Sequence, residues 1–507
     1  MPNNDRIFSL ACMACGLPVI LSTYPPMVDI PQHAAQIAAL RAIFLGEPWE
    51  FSDLFRVQLF TPYWLGYGIV MALTALTDIV TSIKWTVAAS QILFVWTAAR
   101  FSIQMGMPTA LRWTFLILPF GFAYEWGFLN FIVAAPFAFL FLSQVLLWRD
   151  RPTKKTGWGL VAFVHLLFFA HFLITAFSCM VAVFLLATPW KGVKHWIKCC
   201  VPVFSVLPIT LGWISITLMT VPEASGPTVW ALGFLRLDTF PILLSSAPYG
   251  KTGFLIGLLL LILPWLYGAK PRRSRMAWAP FIVYCFWMFI VPSTLAGTAF
   301  VYQRFGFFGL PLYYSAFLME GPPMPRQNLI KYGLAGFSFL IICLRCMQVD
   351  IFNREMEGYR SVISHTEPGR RLVFMAFDRD SRSSDNAPLM LQIGGWYQAE
   401  RGGLAEFSFA RFPGLPLVFK SKTGPGIYGG FEWMPGVFDW ERNDGERIDY
   451  LLVRHPQDGS EWIADRTHGR MSLLARDGLW QLFGKKAVHE TISPPSSLPL
   501  QKHRAQK

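Results

Sequence analysis

Tyr24-Pro-Pro-Met-Val-Asp29-Ile-Pro-Gln-His33-Ala-Ala-Gln36-Ile-Ala-Ala-Leu-Arg41 is the stretch on which the reading of this chain turns. Just before it runs an apolar segment, Ile7 to Leu21, long enough to cross most of a bilayer. A carboxylate, an imidazole and two amides therefore arrive together where the chain leaves the membrane. From Pro31 the spacing becomes helical: Ile37, Leu40, Phe44 and Leu45 share a face, with Gln36 and Arg41 away from it. Pro31 suits a helix start, where a missing N–H is no loss. The pattern predicts an amphipathic helix on the membrane surface with Asp29 at its head. The blander alternative is that Asp29 only caps that helix.

Composition sets the class. Of 507 residues 53% are hydrophobic and only 15% charged, with mean hydropathy +0.40, whereas soluble domains carry about 25% charged residues. The deficit lies in residues 1–350, a series of apolar runs, while 353–507 has ordinary soluble composition. The first run lacks a small-residue cleavage site and reads as a retained helix. The net charge of +13 comes from lysines and arginines in short loops, the pattern of cytoplasmic loops rather than of a nucleic-acid face. No Gly-rich phosphate loop follows a strand pattern, which argues against a nucleotide-hydrolysing transporter. All eight cysteines lie in or beside apolar runs, where C-x-x-C spacing reflects small packing residues rather than disulfides or zinc.

The later runs are 62–80, 85–103, 110–123, 127–148, 157–171, 172–188, 201–219, 253–268, 277–296, 305–319 and 332–350. Basic clusters at 149–155, 191–198, 270–275 and 326–331 all belong on the cytoplasmic side. Parity then requires one run not to span. The choice falls on 62–80, which holds Pro62, Gly66 and Gly68 and follows a loop of interfacial aromatics. The stretch 157–188 exceeds one span and divides into two helices meeting near His171. The expected fold is mainly α: a polytopic helical membrane bundle of about 11 spans. Residues 1–352 form the membrane part, 353–486 a small C-terminal α/β extracytoplasmic domain, and 487–507 a disordered tail. In the C-terminal domain 371–377 and 448–454 are strand-like and 388–401 helix-like, and 473–483 is a hairpin turning at Asp477-Gly478.

On this topology polar residues gather at the outer face, where an ionisable group at a span end is a functional candidate. Asp29 comes first, with His33 beside it, then Glu125 in an outer turn with Asn130 one helical turn on. Structural readings compete: Glu125 can be satisfied by Trp126 and Asn130, and His171 can be a neutral hydrogen-bonded helix residue. Tyr302-Gln303-Arg304 sits at another outer helix end. Arg304 is either a snorkelling anchor or a guanidinium aimed at a phosphate.

The order of a first span, a loop opening at Asp29, two surface helices and a Glu-bearing turn after the third span resembles the GT-C class of membrane glycosyltransferases. Asp29-Ile-Pro-Gln-His33, Trp126-Gly-Phe-Leu-Asn130 and Gln303-Arg304-Phe305 are similar to bacterial members of that class. The terminal segments Asp449-Tyr-Leu-Leu-Val-Arg454 and Arg476-Asp-Gly-Leu-Trp-Gln-Leu-Phe483 fit as well. The resemblance implies an integral enzyme of the bacterial inner membrane with a periplasmic C-terminal domain. Its partners are a polyprenyl-phosphate-sugar donor, a lipid, glycan or protein acceptor, and membrane lipids, with no nucleic acid. Asp29, His33 and Glu125 are then the catalytic candidates, with Asp29 as general base in an inverting transfer. Gln32, Asn130, His171, Tyr302, Gln303 and Arg304 are the substrate-binding candidates, with Arg304 on the leaving phosphate. There is no adjacent acidic pair at Asp29, and Glu47 and Asp53 lie far along. No cofactor is therefore assigned, a divalent metal stays an option, and no metal ligand is named. The absence of a Trp-Trp-Asp motif argues against an oligosaccharide transferase acting on asparagine. The competing classes are a lipid-linked glycan transporter or flippase, which predicts internal repeats or charged broken helices at the midplane, and a noncatalytic membrane scaffold.

Overall fold

The computed structural model of the chain describes residues 3–220, 227–230, 233–246, 250–320, 325–421, 424 and 429–486. The tail expected to be disordered, 487–507, and parts of the 220–252 loop lie outside the described residues.

Among the described residues three helices are long and apolar enough to cross a membrane: Ile79–Gln104, Leu129–Asp150 and Arg326–Ile363. A fourth span arises if the pair Val193–Phe204 and Leu207–Met219, bent by 54°, counts as one. Several expected runs are built otherwise. The first breaks into Asn3–Ala14 and Leu17–Leu21, with Pro18 opening the second piece. Run 110–123 is a buried 3-10 segment, Thr109–Phe120, followed by the four-residue helix Phe122–Glu125. Pro119 and Gly121 forbid a straight α-helix there. Run 305–319 is a 3-10 turn, Gln303–Phe308, and the short helix Gly309–Tyr314. Run 62–80 yields the 10-residue helix Trp64–Leu73, which rises only about 15 Å against a hydrocarbon core of about 30 Å.

Side-chain pairings fix the two ends of the bundle. Ser90, Gln91 and Phe94 line one small cavity with Ile132 and Ala135, while Phe101 further along packs on Phe139, so Ile79–Gln104 and Leu129–Asp150 run the same way. At one end Trp148 donates to the carbonyl of Cys199, Trp196 to that of Val183, Arg272 to that of Met105, and Gln327 to that of Tyr267. All four basic clusters therefore gather at that end. His171 lies at the other, its ring edge-on to Phe131 and Tyr63. Its extended backbone (φ −169°, ψ 120°) separates helices Lys154–Ala170 and Phe172–Leu185, the division expected at this residue.

The final helix, Pro325–Ile363, has 39 residues and a length of about 58 Å, so it outruns the membrane and enters the C-terminal unit. The boundary expected at 352–353 falls inside it. Trp480 donates to its Glu355 carbonyl, and Asn353 holds Thr23 and Leu21 at the end of the first apolar segment. The unit is a five-stranded mixed sheet in the order Leu404–Ala405, Arg371–Ala376, Tyr450–Arg454, Trp480–Lys485, Met471–Asp477. The expected strands and hairpin are present, while the expected helix 388–401 shortens to Gly394–Arg401. The period-2 pattern divides the sheet's faces. Val373, Met375, Leu451 and Val453 pack with Phe431, Phe438 and Trp440, whereas Leu372, Phe374 and Leu452 join the core that continues into the bundle.

That shared core includes helix Ile30–Leu45, buried on every side from Ile30 to Ile37 rather than lying amphipathic on a surface. Helix Gly394–Arg401 crosses it so closely that a Cβ on Gly395 would stand 2.4 Å from the Pro31 carbonyl oxygen. Strand Phe55–Val57 pairs antiparallel with Leu417–Phe419 and extends the seam.

Two outcomes follow from this arrangement. Gly→Ala inside a helix normally gains about 0.5–1 kcal/mol, but at Gly395 a backbone oxygen cannot yield. Gly395→Ala should lower the thermal midpoint, while Gly394→Ala, which meets only side chains at 3.2 Å and beyond, should not. Equal midpoints by calorimetry would break the docking argument. In a cysteine-free background, Thr153→Cys and Glu441→Cys should react with an impermeant thiol reagent from opposite sides of the membrane; labelling from one side would refute the end assignment.

Candidate active site

The three short motifs meet. The N–H groups of Val28 and Asp29 donate to the carbonyls of Glu125 and Trp126 at 3.1 and 3.0 Å, so the Asp29 loop is stitched to the Glu-bearing turn by backbone alone. Gly127 makes this approach possible: its φ is +72°, and a Cβ there would stand 3.0 Å from the Asp29 nitrogen. Arg304 lies over the ring of Phe128 at 3.8 Å, which brings in the third motif.

Asp29 occupies the N-cap position of Ile30–Leu45, yet its side chain makes no capping bond. It accepts instead from Gln392 Nε2, 2.8 Å away in the C-terminal unit. Asp29, Tyr63 and Arg304 are each partly reachable by solvent but hemmed in by protein, so they line a recess. Loss of water pushes the Asp29 carboxyl up to about 7, against the pull of the Gln392 hydrogen bond and the Arg304 charge. Arg304 and Asp29 make no direct ion pair, but each favours the other's charged form. The guanidinium donates from Nη2 to the Ala299 carbonyl at 2.7 Å, and its Nε is buried without a partner.

His33 is buried at 6% exposure and its tautomer can be worked out. Gln36 Nε2 donates to the Leu417 carbonyl, which fixes its amide so that Oε1 accepts from the Tyr67 hydroxyl at 3.1 Å. That hydroxyl has spent its proton, so the 2.8 Å contact to His33 Nδ1 must be donated by the imidazole. Nδ1 carries the hydrogen, and Nε2 keeps its lone pair. Burial, then the Arg304 charge, lowers the His33 pKa to about 3, so the ring is neutral at neutral pH.

Other expected residues divide. The Arg304 charge reaches His171, and Tyr63 packs against the His171 ring at 5.0 Å. Asn130 is buried with Oδ1 unpartnered, beside Gly66, where a Cβ would come within 2.3 Å of that oxygen. Gln303 Oε1 is likewise buried and unpartnered. Tyr302 instead turns to Arg236, whose guanidinium lies 4.0 Å over its ring. Gln32 has both ends of its amide engaged, with the Phe407 carbonyl and the Phe409 N–H, which makes it a tie to the C-terminal unit. Glu125 is engaged by Arg345 at 3.2 Å and by Asn386 at 2.9 Å, an anchoring arrangement that leaves Asp29 as the carboxylate open to the recess.

Sequence reasoning missed the groups that the C-terminal unit supplies. Gln392 joins Asp29 to Glu432, whose carboxylate accepts from its backbone N–H at 2.9 Å. Glu432 is pushed well up, by burial first and then by the Glu406 and Asp29 charges, and Glu406 is pushed up by burial to about 7. No spacing pattern announces these residues. Arg345, by contrast, carried a signal: it is a charge in the middle of apolar run 332–350. Among the described residues no group of three or more His, Cys, Asp or Glu side chains could hold a metal ion. An open apolar groove of about 390 Å³, lined by Phe44, Leu59, Trp64, Met71 and Phe169, begins one residue from Tyr63 and two from His171.

No family model matches the chain, and no curated protein matches it in sequence. Solved structures do match over nearly its whole length. ArnT from Cupriavidus metallidurans bound to undecaprenyl phosphate is 12% identical, with a TM-score of 0.55 over 96% of this chain and 99% of that one. The same protein in the apo state gives 12% identity and 0.54 over 94% and 96%. The chain thus has the fold of ArnT, a GT-C glycosyltransferase, as its short motifs led one to expect.

Proposed function

We propose that this protein is an integral-membrane glycosyltransferase that moves a sugar from a polyprenyl-phosphate donor to a hydroxyl of a lipid, glycan or protein acceptor. The reading places it in the bacterial inner membrane with about 11 spans. Residues 1–352 form the transferase-like part, and the C-terminal unit, 353–486, lies on the outer face. The observation that supports this most is the meeting of Asp29, the 126–130 turn and Arg304 in one recess, at the end of the bundle opposite the basic loops.

The chemistry follows from charge. Asp29 takes the proton of the acceptor hydroxyl as its oxygen attacks the anomeric carbon. The bond from that carbon to the phosphate oxygen breaks, and the electron pair leaves with the phosphate. Attack opposite the leaving group inverts the configuration. Arg304 stabilises the negative charge that grows on the phosphate. His33, neutral and with Nε2 free, accepts a hydrogen bond from a sugar or acceptor hydroxyl; Asn130, His171 and Gln303 supply further polar contacts. The groove beside Tyr63 and His171 receives the apolar chain of the donor. ArnT's occupancy by undecaprenyl phosphate makes a polyprenyl carrier the natural class to test here.

Asp29→Asn is nearly isosteric and keeps an oxygen for Gln392, so the protein should fold with an unchanged thermal midpoint yet lose about 10²–10⁴-fold in transfer. Because a base must be unprotonated, wild-type kcat/KM should rise with pH through about 7, the value to which Asp29 is raised, and fall away below it. An active Asn variant would reduce Asp29 to a structural residue.

Arg304→Lys keeps the charge without the planar fork and should retain partial activity; Arg304→Ala should lose most binding of polyprenyl phosphate. Titration of the lipid phosphate into purified protein decides this, and wild-type affinity in the Ala variant would leave Arg304 an anchor.

A further inference from the structure

Gln392 carries two local costs that the fold alone gives no reason to accept. Its φ is +63°, in the left-handed region that favours glycine, although it is not a glycine. Its carbonyl Oε1 is buried with no hydrogen-bond partner, in a side chain only 5% exposed. Backbone strain and an unmet polar atom at one residue mark places where structure serves chemistry. What the strain achieves is visible. The left-handed turn sets the backbone N–H on Glu432 at 2.9 Å while the side chain's Nε2 reaches Asp29 at 2.8 Å. Gly395, three residues on, brings the chain down onto Pro31, so the approach is held from both sides.

We infer that Gln392 is a positioning residue for transfer: the C-terminal unit completes the active site by holding the Asp29 carboxylate through this amide in its charged, proton-accepting form. The inference rests on the proposed role of Asp29 as base. The groups acting on Asp29 come from every side. Arg304 from the 303–308 turn favours its charge, and so does Gln392. Glu432 of the C-terminal unit and Tyr67 of helix Trp64–Leu73 both feel the Asp29 charge and resist ionising beside it. His33, on its own helix, is neutral, and Glu406 lies beyond Glu432. Burial holds the Glu432 carboxyl well above the usual carboxylate range, which opposes a second negative charge beside Asp29, and Gln392 is the one hydrogen-bond donor to Asp29 among the described residues.

Sign and size follow. A donor to a carboxylate lowers its pKa, so removing the Gln392 amide must raise that of Asp29, and the base is then engaged only at higher pH. A hydrogen bond to a charged group corresponds to a shift of about one to two pH units. Gln392→Gly is the sharpest variant, because glycine accepts the left-handed backbone and the thermal midpoint should be unchanged or raised. Gln392→Asn also tolerates that conformation but is one methylene short of Asp29. Both are made in the full chain, in lipid nanodiscs, and read two ways. Infrared difference titration of the carboxyl stretch, with Asp29→Asn as the blank, follows Asp29 directly and needs no substrate. The pH profile of kcat/KM with a polyprenyl-phosphate sugar follows it through transfer. In both variants the Asp29 midpoint should move up by about one to two units, and the profile should move with it. An unshifted infrared midpoint in Gln392→Gly overturns the inference whatever the transfer result. A shifted midpoint in a wild-type background that transfers no sugar overturns the glycosyltransferase reading instead.

Discussion

Two backbone hydrogen bonds, from Val28 and Asp29 to the carbonyls of Glu125 and Trp126, are the constraint on which the site depends. They place the Asp29 main chain without using its side chain. A carboxylate that had to cap its own helix would be held in that bond and lost to chemistry. Here the loop is anchored by its amides, the helix that begins at Ile30 carries Pro31 in its first turn, which has no N–H to cap, and the carboxylate is left to face the recess. Gly127 is the sequence-level condition for this: any side chain there would press on the Asp29 nitrogen, in a backbone conformation that only glycine adopts freely.

Charge bookkeeping explains why Glu125 and Asp29, joined through one seam, take different parts. An ionised carboxylate moved from water into protein without compensation costs several kcal/mol. Glu125, 5% exposed, meets that cost with Arg345 and Asn386. Removing one partner of such a pair costs about 3–5 kcal/mol, which makes it a fastening that holds the long final helix to the turn. Asp29 has only one amide and a distant guanidinium, so its charge is incompletely compensated, and its affinity for a proton stays near neutrality. The same difference in compensation separates the fastened carboxylate from the one proposed as base.

Much of this was legible in the sequence, and the limits have physical causes. Basic loops cluster at one end because each lysine or arginine obeys the same local rule. The break at His171 followed from length, since 157–188 is too long for one span. The meeting of Asp29, the 126–130 turn and Arg304 was expected from short motifs similar to those of a known class. What was missed lies at long range or in backbone detail. Gln392 is 363 positions from Asp29, and nothing in Leu391-Gln392-Ile393 distinguishes a ligand of a carboxylate from a surface amide. The expected helix 388–401 lost its first turn and a half because Gln392 adopts a left-handed conformation, which composition does not reveal. Helix Ile30–Leu45 read as amphipathic because Gln36 and Arg41 fall away from its apolar face; Gln36 faces protein, and so does Gln32.

Those two glutamines bear on whether the C-terminal unit is an appendage or part of the machine. From Ile30 to Leu40 the helix carries no charge, and its first charged residue, Arg41, appears where burial ends. A helix packed on the bundle alone would place charged side chains along its free face, since nothing there would exclude water. Instead that face carries Gln32 and Gln36, whose amides bond the Phe407, Phe409 and Leu417 backbone of the C-terminal unit, with alanines between them. Amides of this kind suit a permanent contact: they satisfy a neighbour's backbone groups at little desolvation cost, where a lysine or glutamate would have to be buried as an ion. The residue pattern of the helix is that of a core element shared by two parts of one protein. The C-terminal unit therefore forms part of the wall around Asp29, where Gln392 reaches its carboxylate.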